Sequence, residues 1–71
     1  MSKLYSSNEI IKVLKESGFV FVSQRGSHLK FRRVGNPTLT AIVPANRKEI
    51  PRGTLRSILR QAHLSDDGLR T

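Results

Sequence analysis

The chain contains no cysteine, which excludes disulfide bonds, thiolate nucleophiles and cysteine-ligated zinc from its chemistry. Its longest apolar run, residues 19–22, is far too short to cross a bilayer, and its N-terminus lacks the charged-then-apolar pattern of a secretion signal. The two histidines, His28 and His63, are far apart and lack the carboxylate spacing of a metal site. We therefore expect a cytoplasmic protein without a membrane contact, a metal or any other cofactor.

Acidic residues are also scarce. The chain has five Asp and Glu against 13 Lys and Arg, which gives a formal net charge of +8. In a folded unit this small, such a charge attracts polyanions. A solvated surface that only aids solubility is the alternative explanation. The basic residues concentrate in the segments 25–33 and 47–60, and this clustering favours a nucleic-acid-binding face. At 71 residues there is room for one domain, residues 1–71, without a large enclosed cavity.

The first predicted helix begins at a capping box. The Ser6 hydroxyl can accept from the Glu9 amide, while the Glu9 carboxylate accepts from the Ser6 amide. Apolar residues then recur at helical spacing, and Gly18 can take the positive φ that ends many helices. The pattern predicts an amphipathic helix over residues 7–17.

A β-hairpin is predicted next, because two segments of extended character flank Arg25-Gly26, a pair typical of a two-residue turn. The register that follows sets Ser23 opposite His28. Alternation of side chains then gives two faces. The predicted core face carries Val20, Val22, Leu29 and Phe31. The predicted open, basic face carries Phe21, Ser23, His28, Lys30 and Arg32.

A third strand is predicted over residues 39–43, between turn signals on either side. Pro51 suits the first turn of a second helix. The apolar stripe of that helix consists of Leu55, Ile58, Leu59 and Ala62. Both helices must cover the one apolar face of so small a sheet. The predicted fold is α+β, with the order helix, three-stranded antiparallel sheet, helix, and with no firm structure for the tail 64–71.

These motifs, in this order, resemble the HicA toxins, the small ribonuclease half of HicA–HicB toxin–antitoxin pairs. The resemblance covers nearly the whole chain. Its matching parts are the opening helix, Gly18-Phe19, Gln24-Arg25-Gly26-Ser27-His28, Val43-Pro44, Lys48-Glu49-Ile50-Pro51 and the run 53–62. Gly-Ser-His alone would be a weak signal, whereas the full series is specific.

The resemblance implies a fold like the double-stranded RNA-binding domain and cleavage of messenger RNA without a metal. It implies that His28, in the Gly-Ser-His motif, is the catalytic residue. It also implies a HicB-type antitoxin that covers the active surface, DNA binding only through that antitoxin, and a role in stress response. Two positions depart from the family pattern. Many members have a histidine shortly after Val-Pro, where this chain has residues 45–47, and many have glycine at the position of His63, which we expect to be left-handed at the end of the second helix.

RNA carries its own nucleophile, the 2′-hydroxyl, so its cleavage needs a base, an acid for the leaving 5′-oxygen and cations that stabilise the phosphorane. The imidazole of His28 is a candidate base. Water, protonated His28 or Lys30 could serve as the acid, and the sequence does not choose among them. The residues predicted to contact RNA are Arg25, Gly26, Ser27, Lys30, Arg32, Arg47 and Lys48.

A non-catalytic RNA-binding module of the double-stranded-RNA type is the main alternative, with His28 only touching the backbone. A small operator-binding DNA protein is a third option, which the lack of paired helices disfavours. Phe21 could stack on a base or lie against a partner protein or the C-terminal tail. The basic stripe of the second helix could be solvated, contact the RNA backbone or contact the antitoxin. Its members are Arg52, Arg56 and Arg60.

Overall fold

The computed structural model describes residues 4–65, which form two helices and three strands in the predicted order. The elements are α1 (Ser7–Glu16), β1 (Val20–Arg25), β2 (His28–Arg33), β3 (Leu39–Pro44) and α2 (Arg52–Gln61). Both strand pairs are antiparallel, and β2 lies between β1 and β3. This arrangement confirms the α+β prediction of helix, three-stranded antiparallel sheet, helix. The end of the predicted tail, residues 66–71, lies outside the described residues.

Helix α1 begins where the capping box predicts. The Glu9 amide donates to the Ser6 hydroxyl at 3.1 Å, and the Ser6 amide donates to the Glu9 carboxylate at 2.9 Å. Ile10 and Leu14 are buried, as the helical spacing requires. The chain leaves the helix through Gly18 at φ +96°, a conformation that favours glycine. The predicted helix is therefore confirmed.

The segment between β3 and α2 is tied to the start of α1. Ser7 is only 2% exposed, and its hydroxyl donates to the Pro44 carbonyl and accepts from the Arg47 amide at 2.9 Å. The Ile50 amide donates to the Tyr5 carbonyl at 2.7 Å. Because buried polar groups are stable only when they are paired, these contacts fix where the chain goes after the sheet.

Helix α2 buries the stripe predicted for it, with Leu55, Ile58 and Leu59 against the core. The placement of Pro51 in its first turn is wrong by one residue. Pro51 is the N-cap, with φ −56° and ψ 147°, an extended conformation that precedes the first helical residue. After the helix, His63 takes φ +56°, which confirms its expected left-handed conformation.

The β1–β2 hairpin differs from the predicted register. Its two-residue turn is Gly26-Ser27 rather than Arg25-Gly26, so His28 pairs with Arg25 and not with Ser23. Gly26 has φ +60°. Glycine at the first turn position suits a type II′ turn, and glycine at the second position suits a type I′ turn. The sequence is therefore compatible with either placement of the turn.

A β-bulge between Phe21 and Ser23 changes the predicted faces of β1. Phe21 packs edge to face on Phe31, with ring centroids 5.8 Å apart, so it lies on the core face and not on the open face. Val20 and Val22 are 59% and 38% exposed, so their predicted core positions are wrong, whereas Phe31 is buried as predicted. A bulge inserts one extra residue into a strand and switches its alternation. The alternation of apolar and polar residues in the sequence does not show where such a bulge occurs.

The hydrophobic core lies between the sheet and the two helices, centred on β3. Ala41 and Val43 of β3 are fully buried. The core consists of Ile10, Leu14, Phe19, Phe31, Leu39, Ala41, Val43, Ile50, Leu55, Ile58, Leu59 and Ala62. Within residues 4–65, neither helix packs on the other face of the sheet. Neither helix in the described part of the chain is long and apolar enough to cross a membrane.

Candidate active site

The open face of the sheet carries its side chains in rows that run across the strands. One row has His28, the first residue of β2, between Arg25 of β1 and Pro44 of β3. The next row consists of Ser23, Lys30 and Ile42. Side chains directly opposite each other on one face of an antiparallel pair have Cβ atoms about 5 Å apart. The two rows therefore form one cluster.

This cluster surrounds an open depression of about 280 Å³. Its lining residues are Ser23, Arg25, His28, Lys30 and Ile42. His28 and Arg25 are exposed, while Lys30 is half-buried between its neighbours. The structure thus brings the predicted catalytic histidine together with two of the cations predicted to contact RNA.

The bulge in β1 sets Phe21 on the face opposite to the two lining residues of that strand. In a regular strand Phe21, Ser23 and Arg25 would all point to the same face. The extra residue lets Phe21 pack on Phe31, while Ser23 and Arg25 line the depression on the other side. One short strand therefore presents side chains to both faces of the sheet.

Gly26 and Ser27 form the hairpin tip beside the depression and do not line it. The Gln24 side chain donates to the Gly26 carbonyl at 3.0 Å. The Ser27 carbonyl accepts from the Ala45 amide at 2.7 Å, which holds the tip against the end of β3. A side chain at Gly26 would meet open space, but its φ of +60° would cost about 1 kcal/mol. Contact of this tip with RNA stays a prediction.

Three other residues predicted to contact RNA also lie outside the depression. Arg32 is one row beyond Lys30 and pairs with Thr40. Arg47 and Lys48 line a second depression of about 270 Å³ at the start of α1. That second depression also includes Ser6, Ser7, Asn8 and Asn46. RNA contact by these three basic residues stays a prediction as well.

Ile42 is a lining residue that the sequence analysis missed. A β-branched apolar residue in the middle of a strand suggests burial. For this reason the residue type did not indicate that Ile42 lies on the open face. A signal was present, because apolar Ala41 and Val43 flank Ile42 and successive residues of a strand alternate faces, which leaves Ile42 on the same face as Thr40. Ser23 lies on the open face, as predicted, and it lines the depression, a position to which the sequence attaches no role.

The basic stripe of α2 lies on the other side of the sheet. Arg52, Arg56 and Arg60 are exposed, while α2 packs its Ile58 and Leu59 into the core. Because the core and the depression occupy opposite faces of the sheet, these arginines do not join the cluster around His28.

The depression offers one imidazole, two cations, a hydroxyl and an apolar surface, and its lining contains no carboxylate. An imidazole can accept and return a proton near neutral pH. Ammonium and guanidinium groups bind phosphate oxygens strongly. Across residues 4–65, no three His, Cys, Asp or Glu side chains are grouped so that they could hold a metal ion. The lining residues suit acid–base chemistry on a phosphate ester.

Comparison with known proteins identifies the family. No curated protein matches the chain. The family described as the HicA toxin of bacterial toxin–antitoxin systems matches residues 7–64, a span that contains the two helices and three strands that the structure describes and the whole lining of the depression around His28. The match confirms the resemblance found in the sequence. The chain therefore belongs to the HicA toxin family of bacterial toxin–antitoxin systems.

Proposed function

We propose that this toxin is an endoribonuclease that cleaves messenger RNA without a metal, with His28 as the catalytic residue. The observation that carries the proposal is the exposed depression in which the His28 imidazole lies beside Arg25 and Lys30. Membership of the toxin family supports the biological role. The charge of +8 supports a polyanionic substrate.

The proposed reaction is an internal transesterification. His28 accepts the proton of the RNA 2′-hydroxyl as that oxygen attacks the adjacent phosphorus. The bond from phosphorus to the 5′-oxygen breaks, which leaves a 2′,3′-cyclic phosphate on one fragment and a 5′-hydroxyl on the other. Protonated His28, Lys30 or water returns the proton to the 5′-oxygen. Arg25 and Lys30 stabilise the negative charge of the phosphorane.

Single-stranded RNA suits this surface better than a duplex. The depression is open, so a sugar and its phosphate can turn until the 2′-oxygen lies in line with the leaving oxygen. Ile42 supplies an apolar surface against which a base or ribose can lie. Unstacked bases are available only in single-stranded segments. Translated messenger RNA offers such segments.

The family also implies a partner antitoxin, for which we propose a HicB-type protein that covers the open face. Blocking the depression would prevent access of RNA to His28. Any DNA binding by the pair would then depend on the antitoxin. We further propose that the pair acts in the cytoplasm and in stress response.

The test is cleavage of a labelled messenger-like RNA in the presence of EDTA by the natural chain and by His28→Ala. We expect the substitution to lower the cleavage rate by about 100-fold or more, the usual contribution of a general base. RNA affinity should change by about 1 kcal/mol, the scale of one hydrogen bond. Product analysis should find 2′,3′-cyclic phosphate ends.

His63→Asn is the matched control, since asparagine tolerates the left-handed conformation of His63. It removes the other imidazole and should leave cleavage unchanged. Salt-sensitive RNA binding without cleavage by either the natural chain or His28→Ala would reject the proposal and favour the non-catalytic RNA-binding module.

A further inference from the structure

The two outer edges of the sheet differ in how they are protected. At the outer edge of β3, the Ile42 amide donates to the Gln61 side chain of α2 at 3.0 Å. That strand also ends at Pro44, which has no N–H to offer. Among the strands that the structure describes, β1 pairs with β2 alone, and all six of its residues are exposed. The β3 edge is therefore partly occupied, whereas the described residues include no partner for the outer edge of β1.

The available edge is apolar along its first half. Val20, Phe21 and Val22 are 59%, 52% and 38% exposed. Because of the bulge, Val22 has no Cα partner in β2. Proteins usually protect an edge strand with proline or charged side chains, and β1 has neither before Arg25, its last residue. An exposed apolar edge of this kind is suited to pairing with another strand.

Both ends of this edge are basic. Arg25 is the last residue of β1. Near the start of β1, the Arg33 guanidinium donates to the Ser17 carbonyl at 3.4 Å. A strand of this length extends about 20 Å, so the two cations flank an apolar centre. A protein strand with apolar residues in its middle and acidic residues towards its ends would complement this edge. A second copy of this chain would not, because two molecules that each carry +8 repel one another.

We propose that the free edge of β1 is where the antitoxin docks, by adding an extended segment to the sheet as a fourth strand. This inference rests on the proposed function in that it takes the partner to be the antitoxin. Backbone hydrogen bonds would supply affinity, and contacts with Phe21 and Val22 would supply specificity. A strand in this position would lie beside Ser23 and Arg25, so it would cover one side of the depression without entering it.

The first test compares Val22→Lys with Val34→Lys in binding to the antitoxin of this system, purified for the purpose. Val34 follows β2 and is 80% exposed, so the control makes the same change of size and charge outside the strands. We expect Val22→Lys to weaken binding by about tenfold or more, as for a residue at the centre of an interface. Val34→Lys should change it by less than about twofold. Neither residue lines the depression, so RNA cleavage should be unchanged in both variants.

The second test uses the natural chain and does not depend on the folding of a variant. Amide hydrogen exchange is measured on the free protein and on its complex with the antitoxin. We expect the amides of residues 20–25 to exchange at least about tenfold more slowly in the complex, because some of them gain a hydrogen-bond partner.

Three results would overturn the inference: equal exchange at β1 in the free and bound protein, equal loss of affinity in the two lysine variants, or a free dimer that Val22→Lys dissociates. The last result would make a second copy the occupant of the edge. These readouts measure binding alone. Absence of RNA cleavage by the free protein would reject the proposed ribonuclease activity and leave the conclusion about β1 intact.

Discussion

Strands β1 and β3 have the same length, and both pair with β2. The side chains of β3 are buried or half-buried, whereas those of β1 are exposed. In β3, buried residues alternate with half-buried ones along the whole strand. In β1, every residue is exposed, although Val20, Phe21 and Val22 have strong β-propensity. Propensity therefore does not distinguish the two strands. The difference lies in the helices, which pack mainly over β3.

Because of this difference, β3 contributes more to stability and β1 contributes more to the binding surface. Strand β3 contributes to the core between the sheet and the helices. Strand β1 contributes Ser23 and Arg25 to the depression and an apolar edge to the surface. A strand that helices cover on one face can bind other molecules only through its other face, as Ile42 of β3 does in the depression, whereas an uncovered edge strand also offers its backbone. We therefore expect substitutions in β3, β2 and β1 to have different effects.

The largest effect on stability should come from β3. Leu39→Ala removes a buried side chain, 8% exposed, from a core that has few residues to rearrange. We expect the free energy of unfolding to fall by about 2–5 kcal/mol. Urea denaturation would measure this change. A loss below 1 kcal/mol would mean that the helices do not hold β3 as closely as its burial indicates.

The central strand allows a similar comparison on the open face. Lys30 lines the depression, whereas Arg32 on the same face lies one row beyond it. We expect Lys30→Ala to lower kcat/KM for RNA cleavage by about 100-fold, as for the loss of a group that stabilises transition-state charge. Arg32→Ala should lower it by less than about tenfold. Equal effects would indicate a diffuse attraction to RNA in place of a defined site.

The smallest effect should come from β1. Phe21→Ala removes a half-exposed ring and its edge-to-face contact with Phe31. We expect a destabilisation of about 1 kcal/mol, the scale of such an aromatic pair. Cleavage of RNA should not change, because Phe21 lies on the face opposite the depression. Weaker RNA binding with unchanged thermal stability would instead support the stacking of a base on Phe21.

Much of the fold follows from local features of the chain. The capping box at Ser6 and Glu9 begins α1, and the positive φ of Gly18 ends it. The apolar stripe of α2 was identified correctly, as was the left-handed conformation of His63. These features were predictable because each depends on residues within a few positions of one another.

The candidate site was predictable only in part. Alternation along β2 was enough to place His28, Lys30 and Arg32 on one face. Which residue of β1 pairs with His28 and which with Lys30 was not predictable, because the pairing depends on the turn at Gly26-Ser27 and on the bulge at Val22. The separation of Arg47 and Lys48 from His28 was not predictable either, because the hydrogen bonds of the buried Ser7 hydroxyl set the path of the chain there.

The sequence by itself determined the order of the elements, the ends of α1, the basic character of the chain and the family to which it belongs. Tertiary structure alone decided the register of the hairpin, the neighbours of His28 and the contrast between a partly occupied sheet edge and an unpaired one. The physical reason is the range of the interactions. Caps, turns and helical stripes are local along the chain, whereas strand register and edge protection depend on how residues far apart in sequence compete for the same core and the same hydrogen-bond partners.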